Sequence, residues 1–128
     1  MNVVLDTNIL ISSLLTRTGN PARIVQRVLE KELTACFSNT MLHEYREVLG
    51  RAGFEFKEKD IDSLLDGMTR TGVFVSNWKK SDTVFVDETD RKFYEVAKQA
   101  GAVLITGNTK HFPEDACVMT PARFLADY

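Results

Sequence analysis

Cysteine is scarce in this chain: its 128 residues hold two, Cys36 and Cys117, far apart, with no CxxC and no further thiol for a metal cage. Both read as reduced thiols inside short buried strands, so neither a disulfide framework nor a zinc site is expected. Positive charge is not in excess either. Lys+Arg 16 against Asp+Glu 18 gives a formal net charge of -2, which argues against a protein that coats nucleic acid by bulk electrostatics, because such binding needs many cations to neutralise phosphates. A nucleic-acid substrate would have to be attracted locally. No run approaches the ~20 consecutive apolar residues of a membrane-spanning helix. The start, Met1 to Asp6, has no Lys or Arg before its apolar stretch, and Asp6 ends that stretch before a signal-peptide core forms. The expectation is therefore a cytoplasmic protein with no membrane attachment. GxxxxGK[ST] and GxGxxG are absent from the sequence, which removes the P-loop and Rossmann readings. Repeats, linkers and low-complexity segments are missing too.

What is present is 44% hydrophobic and 27% charged residues, the profile of one globular domain over residues 1–128. A chain of this size can bury a core without staples, so any metal would serve chemistry. Short β-rich runs alternate with segments of helical period. Strands are expected at Val3–Leu5, Leu33–Phe37, Val73–Val75, Ala102–Ile105 and Ala116–Met119. The helices between them are marked by Ile9/Leu10/Leu14, by Ile24/Val25/Val28 behind an Asn20 cap and Pro21, and by Met41/Tyr45/Leu49 behind Ser38-Asn39-Thr40. Further helices carry Ile61/Leu64/Leu65/Met68, Phe93/Val96/Ala97 ending at Gly101, and Phe124/Leu125 after Pro121. About five strands separated by helices favour an α/β fold with a mostly parallel sheet covered on both faces. Residues 50–60 and 76–88 lack regular period and are expected to face a substrate or partner.

In such sheets ligands gather at the carboxyl ends of the strands. Asp6, with Thr7 and Asn8, follows the first strand, and Thr106-Gly107-Asn108 follows the fourth, where Gly107 would allow a tight turn. Glu44 falls beside the core stripe of its helix, whereas Glu47 faces away. Asp90 opens a helix as N-cap or first turn, and Asp87 sits in the acidic loop before it. Each of these residues also has an ordinary structural use as a helix cap or solvated acid. Together, three carboxylates on one rim would repel unless a cation lay between them, and oxygen-only ligands select a hard ion, Mg²⁺ or Mn²⁺. Such ions commonly serve phosphate chemistry.

Val3-Val4-Leu5-Asp6-Thr7-Asn8-Ile9-Leu10 resembles the opening of PIN-domain ribonucleases, in particular the small toxin-type members of bacterial toxin–antitoxin pairs. The resemblance extends over essentially the whole chain. Glu44 in Leu42-His43-Glu44-Tyr45 matches the family's acid on its central helix, and Asp90 in Asp90-Arg91-Lys92-Phe93 matches the acid opening its later helix. Asn108 stands where many members carry a fourth acid, so one firm ion site is expected, with a second completed by substrate phosphate.

The resemblance implies a PIN-like three-layer α/β/α sandwich and metal-dependent hydrolysis of RNA, in which Asp6, Glu44 and Asp90 are catalytic and metal-holding. Asn8, Thr106 and Asn108 would support them. It also implies a homodimer and a cognate antitoxin laid over the acidic cleft. Arg17, Arg46, Lys79, Lys80, Arg91 and Lys110 are candidate phosphate contacts, and His43 and His111 are expected at the surface, with His111 near the Asn108 turn. A haloacid-dehalogenase phosphatase would want Asp where Asn8 stands, and a receiver domain would want an acid where Ser76-Asn77 follows the third strand. The remaining alternative is a PIN-like module, catalytically weak for want of the fourth acid, that binds RNA or protein.

Overall fold

The structure, a computed structural model, describes residues 1–51 and 53–128. Five strands, β1 Asn2–Leu5, β2 Thr34–Phe37, β3 Val73–Phe74, β4 Val103–Ile105 and β5 Val118–Met119, form one sheet in the order β3-β2-β1-β4-β5. Every pairing is parallel, so the sheet is wholly parallel where a mostly parallel one was expected. Among the described residues six α-helices connect and flank the strands: α1 Thr7–Leu15, α2 Asn20–Leu29, α3 Asn39–Leu49, α4 Glu58–Arg70, α5 Arg91–Ala100 and α6 Pro121–Asp127. The architecture is a three-layer α/β/α sandwich. Val3, Val4 and Leu5 are at most 1% exposed, which requires helices on both faces of the central strand, because alternate side chains point to opposite faces.

β1 begins one residue before the expected Val3, whereas the other four expected strands are longer than the observed ones: Leu33, Val75, Ala102 and Ala116 lie just outside them. Leu33 and Ala102 are nonetheless buried, so hydrophobicity marked the core where strand pairing does not reach. Cys36 is a buried free thiol in β2, whereas Cys117 lies ahead of β5 and is half-buried. Asn20 is not a cap. Gly19 occupies that position without a side-chain bond, and Pro21 fills the first turn as expected. Gly101 ends α5 at φ 61, the left-handed conformation that favours glycine. Gly107 has no such backbone, since Gly101 is the positive-φ glycine of the described residues; its contribution is an N–H. Residues 75–87 carry no helix or strand. Within the 50–60 loop, position 52 lies outside the described residues.

Asp115 fastens the far edge of the sheet. Its carboxylate accepts from Tyr94 Oη at 2.9 Å, Lys98 Nζ at 2.8 Å and Cys117 N at 2.9 Å. The Cys117 amide, then Lys98, hold its carboxyl well below the usual range. The stabilisation is present above the ordinary aspartate range and fades as pH falls below it. Asp115→Ala should cost about 2 kcal/mol at neutral pH, the scale of lost charge-assisted hydrogen bonds, and urea unfolding at pH 7 against pH 3 should show the gap between variant and wild type narrowing in acid.

Candidate metal centre at the strand ends

β1 and β4 are neighbours, so their carboxyl ends set Asp6 beside Thr106, and Asp6 N donates to Ile105 O at 3.0 Å. Asp6 caps α1 and is 8% exposed. Its Oδ1 accepts from Thr7 N at 2.8 Å, and its Oδ2 accepts from Thr106 Oγ1 at 2.8 Å and Asn8 Nδ2 at 3.2 Å. Gly107 N in turn donates to Asn8 Oδ1 at 3.2 Å. Burial pushes the Asp6 carboxyl up from 3.8 to about 6 in spite of the Thr106 and Thr7 bonds, and the charges of Asp90 and Glu44 push the same way.

Tyr45 Oη donates to Leu5 O, tying α3 to the end of β1 and carrying Glu44, its chain neighbour, to the same rim. The buried phenol is pushed well above its usual range, with Asp6 and Glu44 adding to the effect of burial. Glu44 Oε2 accepts from Thr7 Oγ1, and Glu44 Oε1 pairs with Lys92 Nζ at 2.7 Å. Asp90 is the N-cap of α5 but makes no capping bond. Its Oδ2 is buried without a hydrogen-bond partner, and His111 Nδ1 lies 3.7 Å away. Burial raises the Asp90 carboxyl, Asp87 and Glu44 add to that, and His111 and Lys92 oppose it. Asp6 thus feels the charges of Asp90 and Glu44, and Asp90 that of Glu44.

A buried carboxylate oxygen with no donor is costly in a finished protein interior. A hard cation would satisfy it and relieve the repulsion that adds to burial in raising Asp6 and Asp90, and the donors present are oxygens of the kind Mg²⁺ or Mn²⁺ takes. The residues fit such an ion. The site is not closed around one, however: among the described residues no group of three His, Cys, Asp or Glu is arranged to hold a metal, and both Glu44 oxygens are engaged by Thr7 and Lys92.

The neighbouring residues divide. Thr106 and Asn8 contact Asp6 directly. Asn108 turns to His111, with Nδ2 3.1 Å from both ring nitrogens, while its N donates to Thr106 Oγ1 at 3.0 Å. Asp87 is exposed and caps Thr89 through Oδ1. Arg91, expected as a phosphate contact, is 5% exposed and bonded to Glu88, Glu95, Ser81 O and Thr83 O, so it is a structural cation. Arg46 pairs with Asp62 at 2.7 Å, while Arg17, Lys79, Lys80 and Lys110 are exposed. His43 is exposed, 3.7 Å from Glu47.

Sequence reasoning missed Lys92. It stands two residues after Asp90 in the first turn of α5, and only the packing of α5 against α3 brings it to Glu44. Tyr45 was expected as core, yet its hydroxyl is what locates Glu44.

A family model described as PIN domain matches residues 2–110. An uncharacterized protein of Methanocaldococcus jannaschii is 30% identical over 117 residues, covering 84% of this chain and 71% of that protein. Among solved structures, VapBC2 from Rickettsia felis bound to a DNA fragment from their promoter matches with TM-score 0.59 and 16% identity, over 94% of this chain and 97% of that one. FitAB bound to the IR36 DNA fragment matches with TM-score 0.60 and 18% identity, over 93% and 94%. At those identities the two structures show the shared fold. With the model match spanning most of the sequence, the chain belongs to the PIN-domain family.

Proposed function

We propose that the protein is a divalent-ion-dependent endoribonuclease, with residues 1–128 forming one domain and Asp6, Glu44 and Asp90 as its catalytic, ion-holding acids. The observation that carries this reading is the buried, unpartnered Asp90 Oδ2, on a rim where Asp6 is held up to about 6 by burial and by its acidic neighbours. Bound there, Mg²⁺ or Mn²⁺ would neutralise a phosphate oxygen and make water a better nucleophile near neutral pH.

The chain's own residues do the rest. Thr106 Oγ1 and Asn8 Nδ2 fix Asp6 Oδ2, and Thr7 N fixes Oδ1, so the carboxylate loses little freedom on taking a ligand. Thr7 Oγ1 aligns Glu44, which helps position the ion or orient water. Asn108, with Thr106, contributes neutral contacts from the β4 end. Water attacks phosphorus, the bond to the 3′ oxygen breaks, and the products carry a 5′-phosphate and a 3′-hydroxyl. The exposed Arg17, Lys79, Lys80 and Lys110 are available to RNA phosphates.

The reading extends to a toxin of a toxin–antitoxin pair, a cognate antitoxin over the acidic cleft, a homodimer and a cytoplasmic setting. The fold relatives VapBC2 and FitAB, each solved on DNA, support a partner protein of that kind. No helix of the described residues is long and apolar enough to cross a membrane. A second reading, a catalytically weak module that binds RNA or protein, is favoured by the uncharged Asn108 and by the Lys92 ion pair on Glu44. Labelled single-stranded RNA separates the two. The nuclease reading expects cutting with Mn²⁺ or Mg²⁺, arrest by EDTA, recovery on adding excess ion, and 5′-phosphate ends; RNA bound but uncut at every ion concentration favours the module.

A further inference from the structure

Lys92 enters the acidic rim as a fixed cation. Its side chain is 13% exposed, and Nζ pairs with Glu44 Oε1 at 2.7 Å. Nζ also donates to Thr89 O and lies 5.0 Å from the centre of the Phe93 ring. A lysine in solvent samples many rotamers; this one is held by three contacts, to Glu44 on α3, to Thr89 in the turn before α5 and to Phe93 on α5. The other Glu44 oxygen takes the Thr7 hydroxyl, so each Glu44 oxygen has a partner while Asp90 Oδ2 has none. The chain's own cation thus pairs with one acid of the three and leaves Asp90 Oδ2 without a partner. A divalent ion and an ammonium cannot both lie against Glu44 Oε1 without like-charge repulsion.

We propose that Lys92 is a positioning residue that competes with the divalent ion for Glu44 and keeps the ion weakly held until an RNA phosphate draws the ammonium away. The proposal rests on the metal-dependent nuclease reading above. A phosphate oxygen offers Lys92 an anion in exchange for Glu44, and the freed carboxylate then joins Asp6 and Asp90 around the ion. Ion affinity and RNA affinity are thereby coupled, and by linkage each raises the other.

The test is Mn²⁺ affinity, read from the paramagnetic resonance of the free ion, for the full chain as wild type, Lys92→Met, Lys92→Arg and Asp90→Asn. Each is measured with and without a short phosphorothioate, 2′-O-methyl RNA that resists cutting. Lys92→Met keeps the apolar stem over Phe93, and Lys92→Gln is a second neutral variant should it misfold. Wild type is expected to gain roughly tenfold in Mn²⁺ affinity when RNA is added. Lys92→Met should show that gain already without RNA and none on adding it, and Lys92→Arg should behave as wild type. A neutral variant that folds yet binds Mn²⁺ no tighter, or a wild type indifferent to RNA, overturns the role of Lys92 while leaving the ion site standing. Absence of Mn²⁺ binding in every protein overturns the nuclease reading beneath it as well.

Discussion

Asp6→Asn is expected to reduce RNA cleavage by at least ~100-fold, the scale of removing a charged group from a preorganised site, and at the same time to raise the melting temperature of the metal-free protein at neutral pH. The two effects share one cause. The folded state holds the Asp6 proton up to about 6 against 3.8 for the ordinary carboxyl, so the folded protein binds that proton more tightly than the unfolded chain does. The stabilisation this gives is complete below pH 3.8, declines as pH rises, and is gone above about 6. Ionisation of Asp6 therefore costs the metal-free fold about 3 kcal/mol at pH 7. Asn removes the charge but sets an amide nitrogen where Oδ2 accepts from Thr106 and Asn8, which returns part of the gain. A net increase of about 1 kcal/mol, or roughly 4 °C, is expected. Mn²⁺ should raise the melting temperature of wild type and leave Asp6→Asn nearly unmoved. Calorimetric scans at pH 4.5 and 7.5, with and without Mn²⁺, check both parts. A variant less stable than wild type at pH 7.5 without metal would contradict the electrostatic account of the site.

Arg91→Ala should give the largest loss of stability, with the melting temperature falling by roughly 10 °C or more. The guanidinium sits 4.7 Å from the centre of the Phe85 ring. Nε and Nη2 fork onto Glu88 at 2.7 and 3.0 Å, and Nη1 reaches Glu95 Oε2 at 2.9 Å and Ser81 O at 3.2 Å. Nη2 also takes Thr83 O. One planar group therefore staples residues 81–85, which have no helix or strand of their own, to the start of α5. Alanine would leave Glu95, also buried, without its cation, and breaking a buried pair from one side costs more than the pair is worth. Arg91→Lys should restore only part of the loss, because a single ammonium cannot make the fork. If Arg91 instead served RNA, both variants would melt as wild type does and bind RNA less tightly; thermal melts and filter binding tell these apart.

The Arg91 result also shows where the sequence stopped speaking. A basic residue beside Asp90 reads locally as a phosphate contact, and nothing in its near neighbours reveals that the loop carrying Ser81 and Thr83 folds back to bury it. Lys92 was illegible for the same reason, since its partner Glu44 is distant in sequence and meets it only through α3 packing on α5. Legible features were those encoded locally. Val3-Val4-Leu5 announced a strand covered on both faces, and the residue after it had to lie at the strand's carboxyl end, which is where Asp6 is found. The period of Phe93, Val96 and Ala97 placed α5, and with it Asp90 at the helix start. Asn20 was misread as a cap because Asn has that propensity, whereas the extended backbone of Gly19 decides where α2 begins. The chain does bend at Gly107, but without a positive φ, and what that residue adds to the site is the N–H given to Asn8.

The most direct test of the account compares cleavage of labelled RNA by wild type, Asp90→Asn and Asp87→Asn, each with Mn²⁺, with Mg²⁺ and with EDTA. Asp90 carries the buried oxygen that lacks a donor, while Asp87, three residues earlier, is an exposed cap on Thr89. The account predicts ion-dependent cutting by wild type, retention of most of it in Asp87→Asn, and its loss in Asp90→Asn with the circular dichroism spectrum unchanged. Full activity in folded Asp90→Asn, or cutting by wild type that persists in EDTA, would contradict it.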